Sequence, residues 1–168
     1  MKSSNRTSST AAVARALVAS AIVATMAASA SAWAQPAAKS DEHALPAGPI
    51  HDRHEIMEGM GLSAKAIGAA LKSGKPADAA KPAEDIAGKV DAFLRLFPDG
   101  STGHGSRAKP AIWAERAKFD SLGAGLKVKA TAVADAAKSG GDVKAASNAM
   151  FGNCKSCHDQ FREPEPGE

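Results

Sequence analysis

The chain has 168 residues, which suits one domain, and carries 21 Lys and Arg against 18 Asp and Glu. The first 34 residues hold three of those basic residues, Lys2, Arg6 and Arg15, and no acidic one; without them the balance is 18 against 18. A formally neutral chain deprives a nucleic-acid interface of its main electrostatic support.

Residues 1–34 have the layout of a secretory signal: a basic start, an apolar run over 16–28, and Ala32-Trp33-Ala34 as an A-x-A cleavage site before Gln35. The run is shorter than the about 20 apolar residues that a spanning helix needs, which argues against a retained membrane anchor. There is no twin arginine, so the general secretory route is expected, and no cysteine follows the site to carry a lipid. The expected location is the periplasm. Residues 35–48, rich in Ala, Pro and charge, read as a flexible tail.

Helical periodicity starts near Ile50. Arg53, Met57, Met60, Ala64, Ile67 and Leu71 recur at steps of three and four and form one stripe, which predicts a helix over 50–73 closed by Gly74 and Pro76. A second helix is predicted over 79–97, with Asp78 as N-cap and Ile86, Val90, Phe93, Leu94 and Phe97 on its buried side. The segment from Pro98 to Gly105 holds three glycines and is expected to be mobile. A short turn with Ile112 and Trp113 follows, Trp113 reading as a core or cofactor-edge residue. A third helix is predicted over 115–139, with Phe119, Leu122, Leu126, Val133 and Ala137 inward; Gly123 and Gly125 weaken it or let something bulky approach. Gly140-Gly141 ends it, and Asp142 caps a fourth helix to Arg162, with Ala146, Met150, Cys154, Cys157 and Phe161 on its buried stripe.

The only two cysteines lie in Cys154-Lys155-Ser156-Cys157-His158. C-x-x-C-H is the pattern of c-type haem attachment. Each thiol can form a thioether to a haem vinyl group, and the adjacent imidazole can bind the iron. On a helix Cys154 and His158 are i, i+4 neighbours and share a face with Cys157. The alternatives are weaker. A dithiol redox site belongs beside a βαβ pattern, which is missing here. A closed zinc site needs four ligands, and there is no second Cys pair. A structural disulfide would span only the two residues Lys155 and Ser156.

Four helices with short connections suggest an all-α, antiparallel four-helix bundle over 49–163, with a short tail at 164–168. Its core is thin, because most of the 44% hydrophobic content is alanine. At about 25 cal/mol per Å² of buried apolar surface such a core is marginal. A haem between the helices removes that difficulty, since the porphyrin itself becomes core.

The chain resembles the class II c-type cytochromes, the cytochrome c′ and cytochrome c-556 group, over about 50–162. The likeness is carried by residues 154–162, by Arg53-His54-Glu55-Ile56-Met57, and by Arg107-Ala108-Lys109-Pro110-Ala111-Ile112-Trp113 with Lys118-Phe119; this last segment looks more like the c-556 branch. The resemblance implies one covalent haem c held by Cys154 and Cys157, with His158 as an iron ligand. It implies that Arg53 meets a haem propionate and that Arg162 lies near the His ligand. Met57 matches the position facing the sixth iron site. In the c-556 branch a methionine there ligates iron; in the c′ branch it only packs over an open site. His54, Met60 and His51 are further candidates for that site, while His43 and His104 fall in presumed tail and loop.

With His158 and Met57 both bound, the expected function is one-electron transfer with periplasmic redox partner proteins; the alternative is a five-coordinate protein that binds NO or CO. A haem-free thiol oxidoreductase is a third class, opposed by the buried stripe. No catalytic triad, carboxylate pair or phosphate loop supports an enzyme. Bundles of this family are often dimers, so a homodimer is one implied assembly, although the first helix shows no second apolar stripe.

Overall fold

The computed structural model describes residues 47–164. The signal reading, the tail at 35–46 with His43, and the last four residues lie outside the described residues. Four long helices make up the fold: α1 (Pro49–Lys72), α2 (Ala80–Arg95), α4 (Arg116–Ser139) and α5 (Val143–Phe161), with a single turn, α3 (Ala111–Ala114), before α4. Each long helix packs on the next in chain order, and α5 returns to meet α1, which completes an antiparallel bundle. No strand occurs among the described residues.

The ends of the helices are set by local chemistry. Pro49 opens α1, where its missing N–H costs nothing. At the other end Gly74 has φ 70°, Lys75 N donates to Ala70 O at 2.9 Å and Gly74 N donates to Leu71 O at 3.3 Å, the paired bonds of a Schellman stop. Asp142 caps α5 by accepting from Ala145 N at 2.9 Å.

Three boundaries differ from expectation. Asp78 does not cap α2: Pro76 starts a 3-10 turn over Pro76–Ala79, Asp78 lies inside it, and the helix begins at Ala80. At its other end α2 stops at Arg95, because Pro98 pushes the residue before it out of the helical region; Phe97 is buried from the connection instead. α5 stops at Phe161. Arg162 is extended and forms an antiparallel bridge with Ala108, flanked by Lys109 N to Phe161 O at 3.0 Å and Glu163 N to Arg107 O at 2.8 Å.

The core has two parts. Along most of the bundle it consists of small residues and single branched ones, such as Ala83, Ala130 and Ala134 around Ile67, Ile86 and Val133. At the end nearest Cys157 the aromatic residues gather. Phe97, Phe119 and Phe161 are buried, with Phe93 beside them. Their rings meet edge to face, Phe97 with Phe119 at 4.8 Å and Phe119 with Phe161 at 5.4 Å, a favoured arrangement.

Candidate haem site

The motif occupies the last turns of α5. Cys154, Cys157 and His158 project towards the space enclosed by α1, α2 and α4, and the two cysteines are half-buried. Two cavities fill that space. The outer one, about 290 Å3, has Arg53, His54, Glu58, Arg107 and Arg162 among its lining residues. The inner one, about 150 Å3, is lined mainly by apolar residues of α1, α2 and α4. Met57, Phe93, Phe119, Cys157 and His158 border both, so the two cavities meet at these residues.

The sequence-predicted site residues therefore come together. Met57 from α1 and His158 from α5 face one space. Arg53 and Arg162 line the outer cavity but not the inner one. Among the other candidates His54 borders the outer cavity and Met60 the inner one. His51 borders neither; its Nδ1 is 3.2 Å from the Asp52 carboxylate at the surface. Trp113 also stands outside both, as part of the core: it packs on Phe97 and donates from Nε1 to Pro98 O at 3.0 Å.

Arg53 has more partners than the sequence suggested. It is only 6% exposed. Its Nη2 donates to Ser101 O at 2.6 Å and Ser106 Oγ at 2.7 Å, and its guanidinium lies 4.8 Å from the centre of the Phe97 ring. The glycine-rich connection, expected to be mobile, is thus fastened to α1 at two serines. Burial pulls the guanidinium below its usual value, but an arginine remains charged at neutral pH.

The thiols point the opposite way from a redox dithiol. Burial pushes the Cys157 thiol up to about 11, with the neighbouring Cys154 adding to the effect, and burial raises Cys154 as well. A reactive cysteine needs a lowered value and an electropositive setting. Among the described residues no three His, Cys, Asp or Glu side chains gather as a metal cluster, so the motif has no partners for a closed zinc site.

These surroundings fit a haem. An apolar slot backed by aromatic rings receives a porphyrin face, two thiols on one helical face suit two thioethers, and the arginines lining the outer cavity suit carboxylates. Gly123 belongs to the same wall: a Cβ there would fall 2.6 Å from Leu94 Cδ2, so the bare glycine lets α2 and α4 close in beside the inner cavity. Asn153 was missed by sequence reasoning. It sits three residues after Met150 and four before Cys157, so the helical period itself marks it as an inward polar residue.

Comparison with known proteins agrees. A sequence model described as Cytochrome C′ matches residues 48–162. The chain is 40% identical over 117 residues to a cytochrome c′ of Rhodopseudomonas palustris, covering 67% of this chain and 80% of that protein. It is 37% identical over 124 residues to a cytochrome c-556 of Agrobacterium tumefaciens, covering 69% and 98% respectively. A solved structure of cytochrome c′ from Rhodopseudomonas palustris superposes with a TM-score of 0.63 at 36% identity, covering 72% of this chain and 100% of that one. The chain belongs to the cytochrome c′ family of class II c-type cytochromes, electron-carrying four-helix bundles with covalently bound haem c.

Proposed function

We propose that this protein is a periplasmic one-electron carrier whose haem is joined to Cys154 and Cys157 and whose iron is held by His158 and Met57. The observation that carries this reading is that Met57 and His158, from different helices, border the same two cavities. The bound haem supplies the one-electron chemistry. The protein's own residues do the rest. His158 presents an imidazole from a helix turn whose carbonyl oxygen accepts from Arg162 N at 3.0 Å. Met57 offers a soft thioether, which suits ferrous iron and raises the potential. Phe93 and Phe119 keep water from the slot. Arg53 and Arg162, which line the outer cavity, would offer charge to the propionates. Export rests on the signal at 1–34; no helix among the described residues is long and apolar enough to cross a membrane.

The second reading is a five-coordinate iron with Met57 only packed over it, open to NO or CO. The cytochrome c′ name of the matched family and of the 40% identical relative favours it. The visible spectrum of the reduced protein, with and without CO, separates the two. A low-spin spectrum that CO does not change supports Met57 ligation; a high-spin spectrum that CO converts supports the open site.

A further inference from the structure

The inner cavity is apolar except for the haem-attachment motif and one other side chain, Asn153. Asn153 directly precedes Cys154 on α5 and is 7% exposed. Its Nδ2 donates to the Leu122 carbonyl of α4 at 2.9 Å, and its Oδ1 accepts from Lys129 Nζ at 3.0 Å. Donor meets acceptor at both ends, so the orientation of the amide is fixed by its partners. Gly125 eases the contact: a Cβ there would lie 3.0 Å from Asn153 Oδ1 and 3.4 Å from Lys129 Nζ, close enough to press on both. A helix-weakening glycine thus stands where the Asn153 amide approaches the α4 backbone and meets the Lys129 ammonium. Lys129 also differs from other lysines of α4. Lys118, Lys127 and Lys138 pair with the carboxylates of Glu115, Asp91 and Glu84, whereas Lys129 is held by a neutral amide, so its charge is not cancelled at the contact.

We propose that Asn153 and Lys129 tune the haem: Asn153, which lines the cavity, holds the Lys129 ammonium one hydrogen bond behind the wall, where its charge favours ferrous over ferric iron and raises the reduction potential. The inference rests on the reading that the haem occupies this cavity. Ferric haem carries one more positive charge than ferrous haem, and one electron with no proton makes the difference. A half-exposed cation fixed by Asn153 acts through a medium between water and the protein interior, so it is less screened by salt than a freely moving, fully exposed charge.

The test is redox titration of the purified holoprotein. Lys129→Met should lower the potential by about threefold in the ferric-to-ferrous ratio, about 30 mV on the one-electron scale of 59 mV per tenfold. Lys127→Met removes a lysine two positions earlier on the same helix and should give less than half that shift. In an Asn153→Leu background the effect of Lys129→Met should fall by half or more. The Asn153 side-chain amide protons should also exchange more slowly than those of the exposed Asn148, as read by NMR of the reduced protein. Lys129 is half-exposed, so its substitution empties no core space and decides the matter even if Asn153→Leu fails to fold. An unchanged potential in Lys129→Met, or an equal shift in Lys127→Met, overturns the proposal. A wild-type chain without covalent haem overturns instead the reading on which it rests.

Discussion

Arg53 Nη2 lies 2.6 Å from the carbonyl oxygen of Ser101, a residue 48 positions further along the chain. The same nitrogen donates to Ser106 Oγ, and Ser106 Oγ in turn accepts from Ala108 N at 3.3 Å. One side chain of the first helix thus holds the connection that runs from α2 to the Ala108–Arg162 bridge beside the haem motif. Its planar fork suits several acceptors at once, which an ammonium cannot match.

Arg53→Leu therefore leaves the half-buried Ser101 carbonyl without this donor and the Ser106 hydroxyl with only Ala108 N, at a cost of about 1–3 kcal/mol. Hydrogen exchange of residues 98–107 should speed up before that of the long helices. Arg53→Lys should fall between the two, because it keeps the charge and loses the fork. Unchanged exchange in Arg53→Leu would show that the serine contacts do not hold the loop.

Met57→Ala tests the sixth site. Met57 is half-buried, so the truncation should cost no more than about 2 kcal/mol, the low end for a core methionine. The decisive readout is spectral: the reduced protein should turn high-spin and take up CO. A variant that stays low-spin would give the site to another side chain, with His54 and Met60 the ones that border the cavities.

Much of this was legible in the sequence, and what was not has a physical reason. The stripe on α1 stands where its period puts it; on α5 Met150 and Phe161 are buried as expected, but Ser147 and Asn153 take the other buried positions and the cysteines stand half-buried beside them. Phe97 is buried as expected but not from a helix, because Pro98 overrides the apolar pattern at the end of α2. Asp78 has the chemistry of a cap, yet Pro76 had already started a tighter turn upstream. The Arg53–Ser101 bond and the Asn153–Leu122 bond join residues on different elements. No spacing rule reports such pairs, since they exist only once the helices are packed. The convergence of Phe93, Phe97, Phe119 and Phe161 is of the same kind: each is an ordinary apolar position on its own segment, and the cluster appears only in three dimensions.

Two glycines of long helices should respond oppositely to alanine. Gly68 in α1 has nothing within 4 Å of an added Cβ, so Gly68→Ala should stabilise by about 0.5–1 kcal/mol through helix propensity alone. At Gly123 the new methyl group meets Leu94 at 2.6 Å and drives it towards the inner cavity. Overpacking of about 1–3 kcal/mol then outweighs the propensity gain, and the haem absorption should shift as the wall moves. Equal, stabilising effects at both sites in thermal melts would mean that α2 and α4 separate easily beside the cavity.

On the proposed reading the last turns of α5 carry the haem through both thiols. Mass spectrometry of the denatured protein, followed by protease digestion, tests it most directly. One haem of added mass per chain should survive acid–acetone extraction. Digestion should assign it to the peptide containing Cys154 and Cys157, and Cys154→Ala with Cys157→Ala should abolish it. Haem that extracts completely into acid–acetone, or two thiols free to alkylate in the purified protein, would contradict it.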